Sequence, residues 1–387
     1  MMRKIPELEG VRGLLALMVV LGHSLVTGQY DFFKLPFPLV YLGHGGFAVQ
    51  VFIILSGFVI FLLLDQTKES YWQFITRRAF RLFPVYLACL AISVAMMPMT
   101  IATIEAVPWQ SSMRDVQLRI FQDTNTHWLR HLLAHATLLH GVVPDSWLPS
   151  TAFAFIGQAW SVSVEWQFYL LAPIINQIAR SKRSIAVAGL IVAILAAQRW
   201  AAFQGAFLAS QIHLFTLGAI SYFAYREIVK HQHFLKSHAA LVTFSPLAIT
   251  LALRGTPCMV GFAAILSLVI GTVLMPRNSF VRGISGVLCS RPLAYLGRIS
   301  YCVYLSHMIV HFILLGLLSQ RGLHPTTYLW LHSVGSMVGA ILISIPLSHW
   351  VEYPAIDMGK AVSQWLAERS RSRNGLSDAS APGVALP

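Results

Sequence analysis

Residues 12–23 read RGLLALMVVLGH, an arginine and a histidine bracketing ten residues that are nearly all apolar. With its flanks the run fills 11–29, close to the roughly 20 residues a helix needs to cross a bilayer. Comparable runs recur at 46–64, 82–102, 154–176, 184–200, 206–225, 239–254, 257–275, 293–318 and 327–350, which predicts about ten spans. Composition agrees. The chain is 56% hydrophobic and 11% charged, with a mean hydropathy of +0.65, whereas soluble domains carry about 25% charged residues. The expectation is an all-α, polytopic integral membrane protein whose helices surround a central polar cavity. The net charge of +13 then belongs to a membrane surface and not to nucleic acid.

Arg3 and Lys4 before an apolar run resemble a signal peptide, but no small-residue cleavage site follows, so the run reads as an uncleaved first helix. With the N-terminus inside, 21 Lys and Arg fall on inner loops and seven on outer ones. That bias places both termini in the cytoplasm of an inner (plasma) membrane protein. Residues 1–365 form the transmembrane domain. The tail 366–387, polar and then rich in small residues and proline, is expected to be disordered. The segment 129–143 is too short to span and reads as re-entrant or interfacial. Cys89, Cys258, Cys289 and Cys302 lack CxxC spacing and read as packing residues.

Several polar groups sit at membrane depth. Eleven residues separate Arg12 from His23, so the two share a helical face about 16 Å apart along the axis. If Arg12 marks the inner surface, His23 lies near mid-membrane, where an ionisable group is costly unless it meets a cavity or a partner. The bland alternative is a buried, hydrogen-bonded histidine. FITRRAFRLFPVY holds Arg77, Arg78 and Arg81 at a cytoplasmic helix start. Forked, permanently charged side chains suit phosphate, and simple topology anchoring is the competing reading. Glu165, among the aromatics of QAWSVSVEWQFYLLAP, needs a partner in the outer half of its span. LGRISYCVYLSHMIVH puts Ser300, Tyr304 and His307 on one helical face. Ser56-Gly57 and the Gly335/Gly339 pair read as helix packing. His127, His131 and His135 recur every four residues with His140 close behind, but no HExxH or cysteine pair supports a metal, so none is expected.

These motifs, in this order from residue 8 to residue 355, resemble the acyltransferase-3 family of membrane O-acyltransferases, which includes O-antigen and exopolysaccharide O-acetylases. The matching stretches are LEGVRGLLALMVVLGH, FAVQVFIILSGFVI, RRAFRLFPVY, AWSVSVEWQFYLLAP, LGRISYCVYLSHMIV and VEYPA. The resemblance implies transfer of an acyl group, expected to be acetyl as in those O-acetylases, from cytoplasmic acyl-CoA to a hydroxyl of a surface or exported glycan, without a permanently bound cofactor. It assigns the Arg-x10-His pair to Arg12 and His23, and the basic motif to Arg77, Arg78 and Arg81. Gln50 and Trp166 stand where members often carry an acid; Glu165 remains. On this reading His23 is a general base or a nucleophile, both of which neutral imidazole suits. Glu165 orients the acceptor or an imidazole, the arginines hold the donor, and Ser56, Tyr304 and His307 support the site. The competing classes are a carrier or flippase for a lipid-linked glycan and a sensor without catalysis; the paired inverted halves common in transporters are not evident in the sequence.

Overall fold

The computed structural model describes residues 5–27, 45–67, 69–109, 112–180 and 205–379, with three isolated positions between 181 and 204. Every regular element among them is helical: α1 Glu7–Thr27, α2 Gly45–Gln66, α3 Tyr71–Glu105, α4 Ser112–Thr126, α5 Trp128–Ala136, α6 Trp160–Arg180, α7 Leu208–Lys230, α8 Ala239–Ala252, α9 Pro257–Leu274, α10 Ser279–Leu288, α11 Arg291–Leu318, α12 Pro325–Leu347 and α13 Tyr353–Ala379. A π turn, Ser348–Glu352, joins the last two.

Seven segments among the described residues are long and apolar enough to cross a membrane. They coincide with seven of the ten expected spans. Two more expected spans, 154–176 and 206–225, are the helices α6 and α7. These have 21 and 23 residues and are long enough at 1.5 Å per residue, but their polar load keeps them out of the seven. The expected span 184–200 lies outside the described residues. The stretch 140–159 is not the start of α6 but a chain of short 3-10 turns. Helix α13 continues to Ala379, through the first part of the tail expected to be disordered.

Helix α11 is central. Of its apolar window 61% is buried against protein, compared with 6% for 232–252, so α8 lies at the rim and turns Leu241, Ile249 and Leu251 outward. Close crossings depend on glycine. A Cβ at Gly297 of α11 would overlap the carbonyl of Glu9, which seats α1 against α11, and one at Gly10 would overlap that of Leu288, which seats α1 against the end of α10. A Cβ at Gly57 would meet the Phe215 carbonyl and one at Gly218 the Ile54 carbonyl, which locks α2 to α7. Gly339 of α12 faces Val310 of α11, as the small-residue spacing predicts. Helix α3 starts on a capping box in which Ser70 and Gln73 exchange backbone and side-chain hydrogen bonds, holding Arg77, Arg78 and Arg81 in its second and third turns. Three cysteines are buried, Cys289 is exposed, and all four are free.

Candidate active site

The described helices line at least two chambers. The first, about 140 Å³, is lined by Arg12 from α1, Ser56 from α2, Arg78 and Arg81 from α3, Ser161, Glu165 and Tyr169 from α6, and Ser300, Tyr301 and Tyr304 from α11. Helical spacing accounts for the selection. Arg78 and Arg81, three apart, share a face, and both turn inward. Arg77 does not join them: its guanidinium donates to Glu69 and it is not part of the lining. Arg78 stands 5.9 Å from the Tyr169 ring centroid and 5.8 Å from that of Phe74. Arg81 pairs with Glu352 at 3.5 Å, a carboxylate whose side chain is fully buried. Glu165 accepts from Ser56 Oγ at 3.2 Å and from the Tyr169 hydroxyl. The chamber therefore holds three guanidiniums with one carboxylate exposed to its interior, a net cationic cradle of forked donors suited to an anion.

The second chamber, about 290 Å³, is lined by His23 together with Gln117 and Phe121 from α4, Phe153, Gln158 and Trp160 from the 3-10 region and α6, and Met308 and Phe312 from α11. His23 thus lies apart from Glu165, and each occupies its own chamber. Between them stands a hydrogen-bonded wall. The Tyr304 hydroxyl donates to the Gln158 carbonyl at 2.8 Å, so its contact with Ser161 Oγ at 2.7 Å has Ser161 as the donor. Tyr304 and Ser161 face the first chamber, Gln158 the second.

The tautomer of His23 follows from its surroundings. Nδ1 lies 3.0 Å from the Val19 carbonyl, which only accepts, so Nδ1 carries the hydrogen and Nε2 carries the lone pair. The ring of His307 lies 5.0 Å away, centroid to centroid. His307 follows the same pattern, with Nδ1 donating to the Tyr304 carbonyl at 2.7 Å.

Helix α5 and the 3-10 turns after it do not span but pack into the bundle: the Tyr86 hydroxyl of α3 donates to the His135 carbonyl at 3.0 Å, and the Gly141 N–H donates to Ser163 Oγ of α6 at 3.2 Å. His135 and His140 stack face to face at 3.9 Å, and His135 Nε2 donates to the Thr151 carbonyl at 2.9 Å. His135 Nδ1 lies 3.1 Å from the Tyr86 hydroxyl, so both ring nitrogens of His135 are taken up within the protein. Among the described residues no group of three or more His, Cys, Asp or Glu is arranged around a possible metal ion. Trp166 sits edge-on to Phe83 at 5.1 Å, a packing role in place of an acid.

Sequence reasoning missed Glu352, Tyr169 and Tyr301. The VEYPA motif contained the first, but nothing in its local pattern tied it to an arginine 271 positions earlier. Tyr301 donates to the Leu82 carbonyl at 2.7 Å and lines the cationic chamber beside Arg81.

Compared with known proteins, residues 5–349 match the family described as "Acyltransferase domain". The exopolysaccharide production protein ExoZ of Rhizobium meliloti (strain 1021) is 25% identical over 350 residues, covering 84% of this chain and 95% of that protein. No solved structure matches.

Proposed function

Since the chain belongs to the acyltransferase-3 family of membrane acyltransferases, we propose that it moves an acyl group, acetyl by family precedent, from cytoplasmic acyl-CoA to a hydroxyl of an exported or surface glycan. One observation carries this reading: a cationic chamber of Arg12, Arg78 and Arg81 adjoins a second chamber holding an imidazole with a free Nε2. The phosphates of a nucleotide thioester suit the first, and a nucleophile that must lose a proton suits the second. The similarity to a protein named for exopolysaccharide production supports a polysaccharide acceptor. The protein would sit in the inner membrane with both termini cytoplasmic, and its cytoplasmic helix ends would receive the donor.

In this account the arginines hold the donor phosphates while the thioester reaches toward the wall of Tyr304, Ser161 and Gln158. His23 Nε2 takes the proton of the acceptor hydroxyl as its oxygen attacks the thioester carbonyl. The C–S bond then breaks, the thiolate takes up the proton, and the products are a glycan ester and free CoA thiol. General base catalysis contributes about 10²–10⁴ in rate, and holding both reactants in adjoining chambers supplies more. Glu165 shares its chamber with the arginines, so its part is to orient Arg78, Arg81 and the donor rather than the imidazole.

The test is to compare the surface and secreted glycans of cells with and without the gene. The reading expects one alkali-labile acyl ester to disappear on deletion and return with the intact gene. An unchanged ester inventory would refute it.

A further inference from the structure

A half-buried base at membrane depth needs somewhere to put its charge. Taking a proton turns His23 into an imidazolium inside a low-dielectric bundle, which is costly without a counter-charge or a strong acceptor. Glu165, which lines the first chamber, and the buried Glu352 are engaged elsewhere: Glu165 with Ser56 and Tyr169, Glu352 with Arg81 and Cys302. What does lie beside His23 is His307, fully buried, with its ring 5.0 Å away at 59°. Its Nδ1 hydrogen is committed to the Tyr304 carbonyl, so its Nε2 is a lone pair, and that atom is buried without a hydrogen-bond partner. His307 in turn touches the rings of Tyr304 and His311, and His311 is tied to Ser336 at 2.7 Å. No charged group faces the pair in these contacts.

We propose that His307 is the positioning residue for the base: once the attacking oxygen has bonded to the thioester carbonyl, the Nε2–H that His23 acquired turns from that oxygen to the Nε2 lone pair of His307, which holds it until the leaving thiolate takes the proton. The balance is simple. The acceptor O–H bond breaks and an N–H bond forms on His23. The proton is held between two nitrogens, the thiolate then removes it, and both rings return to their neutral Nδ1–H forms. No further reactant is required. An uncompensated burial site thus becomes one that tolerates a transient cation, and an otherwise orphaned lone pair gains a purpose.

The inference rests on His23 being the base, and the test separates the two claims. Purified protein in detergent or nanodiscs is assayed for transfer from acetyl-CoA, with His23→Ala, His307→Phe, His307→Gln and the double variant His23→Ala/His307→Phe. Phe fills the ring volume and offers no acceptor. Gln places an acceptor oxygen near the position of Nε2. A packing role would be rescued by Phe; proton sharing would be rescued by Gln. The expected result is a kcat about ten- to a hundredfold lower for His307→Phe, the worth of one hydrogen bond to a charged group, with KM for acetyl-CoA unchanged. His307→Gln should recover part of that loss, and the double variant should be no worse than His23→Ala. If His23→Ala is inactive while a folded His307→Phe keeps the wild-type kcat, proton sharing is wrong and the base assignment stands. If His23→Ala keeps its rate, both fall.

Discussion

Arg77, Arg78 and Arg81 look equivalent in sequence and have different neighbours in the structure. Arg77 is engaged with Glu69, Arg78 lies against aromatic rings, and Arg81 is paired with the buried Glu352. Donor binding should divide them accordingly. Arg78→Ala and Arg81→Ala should each weaken acyl-CoA binding about ten- to a hundredfold, from the roughly 1.5–3 kcal/mol of a hydrogen bond to a charged group. Arg77→Ala should leave affinity unchanged, and lysine should rescue Arg78 and Arg81 only in part, because an ammonium lacks the planar fork. Titration of purified variants with acyl-CoA checks this; equal losses at all three would mean a diffuse field and no built chamber. Glu352→Gln removes the carboxylate from a pair whose arginine is partly exposed, and should cost about 1–3 kcal/mol, read as a lower melting temperature in detergent. The arginines and His23 were legible because charge inside an apolar run is conspicuous. Glu352 and Tyr169 were not, since their meaning comes from partners on other helices.

Among elements, the crossings α1 with α11 and α2 with α7 are the rigid parts of the frame. A side chain at Gly218 or Gly297 would overlap backbone, which cannot rotate away. Gly218→Val and Gly297→Val should therefore destabilise by at least the 1–3 kcal/mol typical of overpacking, with reduced yield of monodisperse protein as the readout. The Gly335/Gly339 spacing was visible within one helix, whereas the opposed Gly13 and Gly297 needed the fold to bring them together.

For the whole molecule, the sequence reading of apolar runs recovered seven spans that the structure also offers, because length and hydropathy are local properties. Helices α6 and α7 were foreseen as apolar spans but carry polar groups that face the interior: Glu165 in the first chamber and the buried Gln167 on α6, and the buried Ser221 on α7. The separation of Glu165 from His23 into two chambers was invisible, because it depends on the wall that Tyr304 and Gln158 make across 146 positions. Orientation has a native reporter. Cys289 is the one exposed cysteine, in the loop region assigned to the cytoplasm. An impermeant thiol reagent should miss it in intact spheroplasts and label it in inverted vesicles, while Asp115→Cys in a Cys289→Ser background should show the reverse. The opposite pattern would turn the arginine chamber away from cytoplasmic acyl-CoA. The central claim, acyl transfer through His23, meets its most direct test in inverted membrane vesicles supplied with radiolabelled acetyl-CoA and the cell's own polysaccharide. Wild-type vesicles should deposit alkali-labile label on the glycan, and vesicles with equal amounts of folded His23→Ala should do so about 10²–10⁴ times more slowly. Equal labelling by the two would contradict the account.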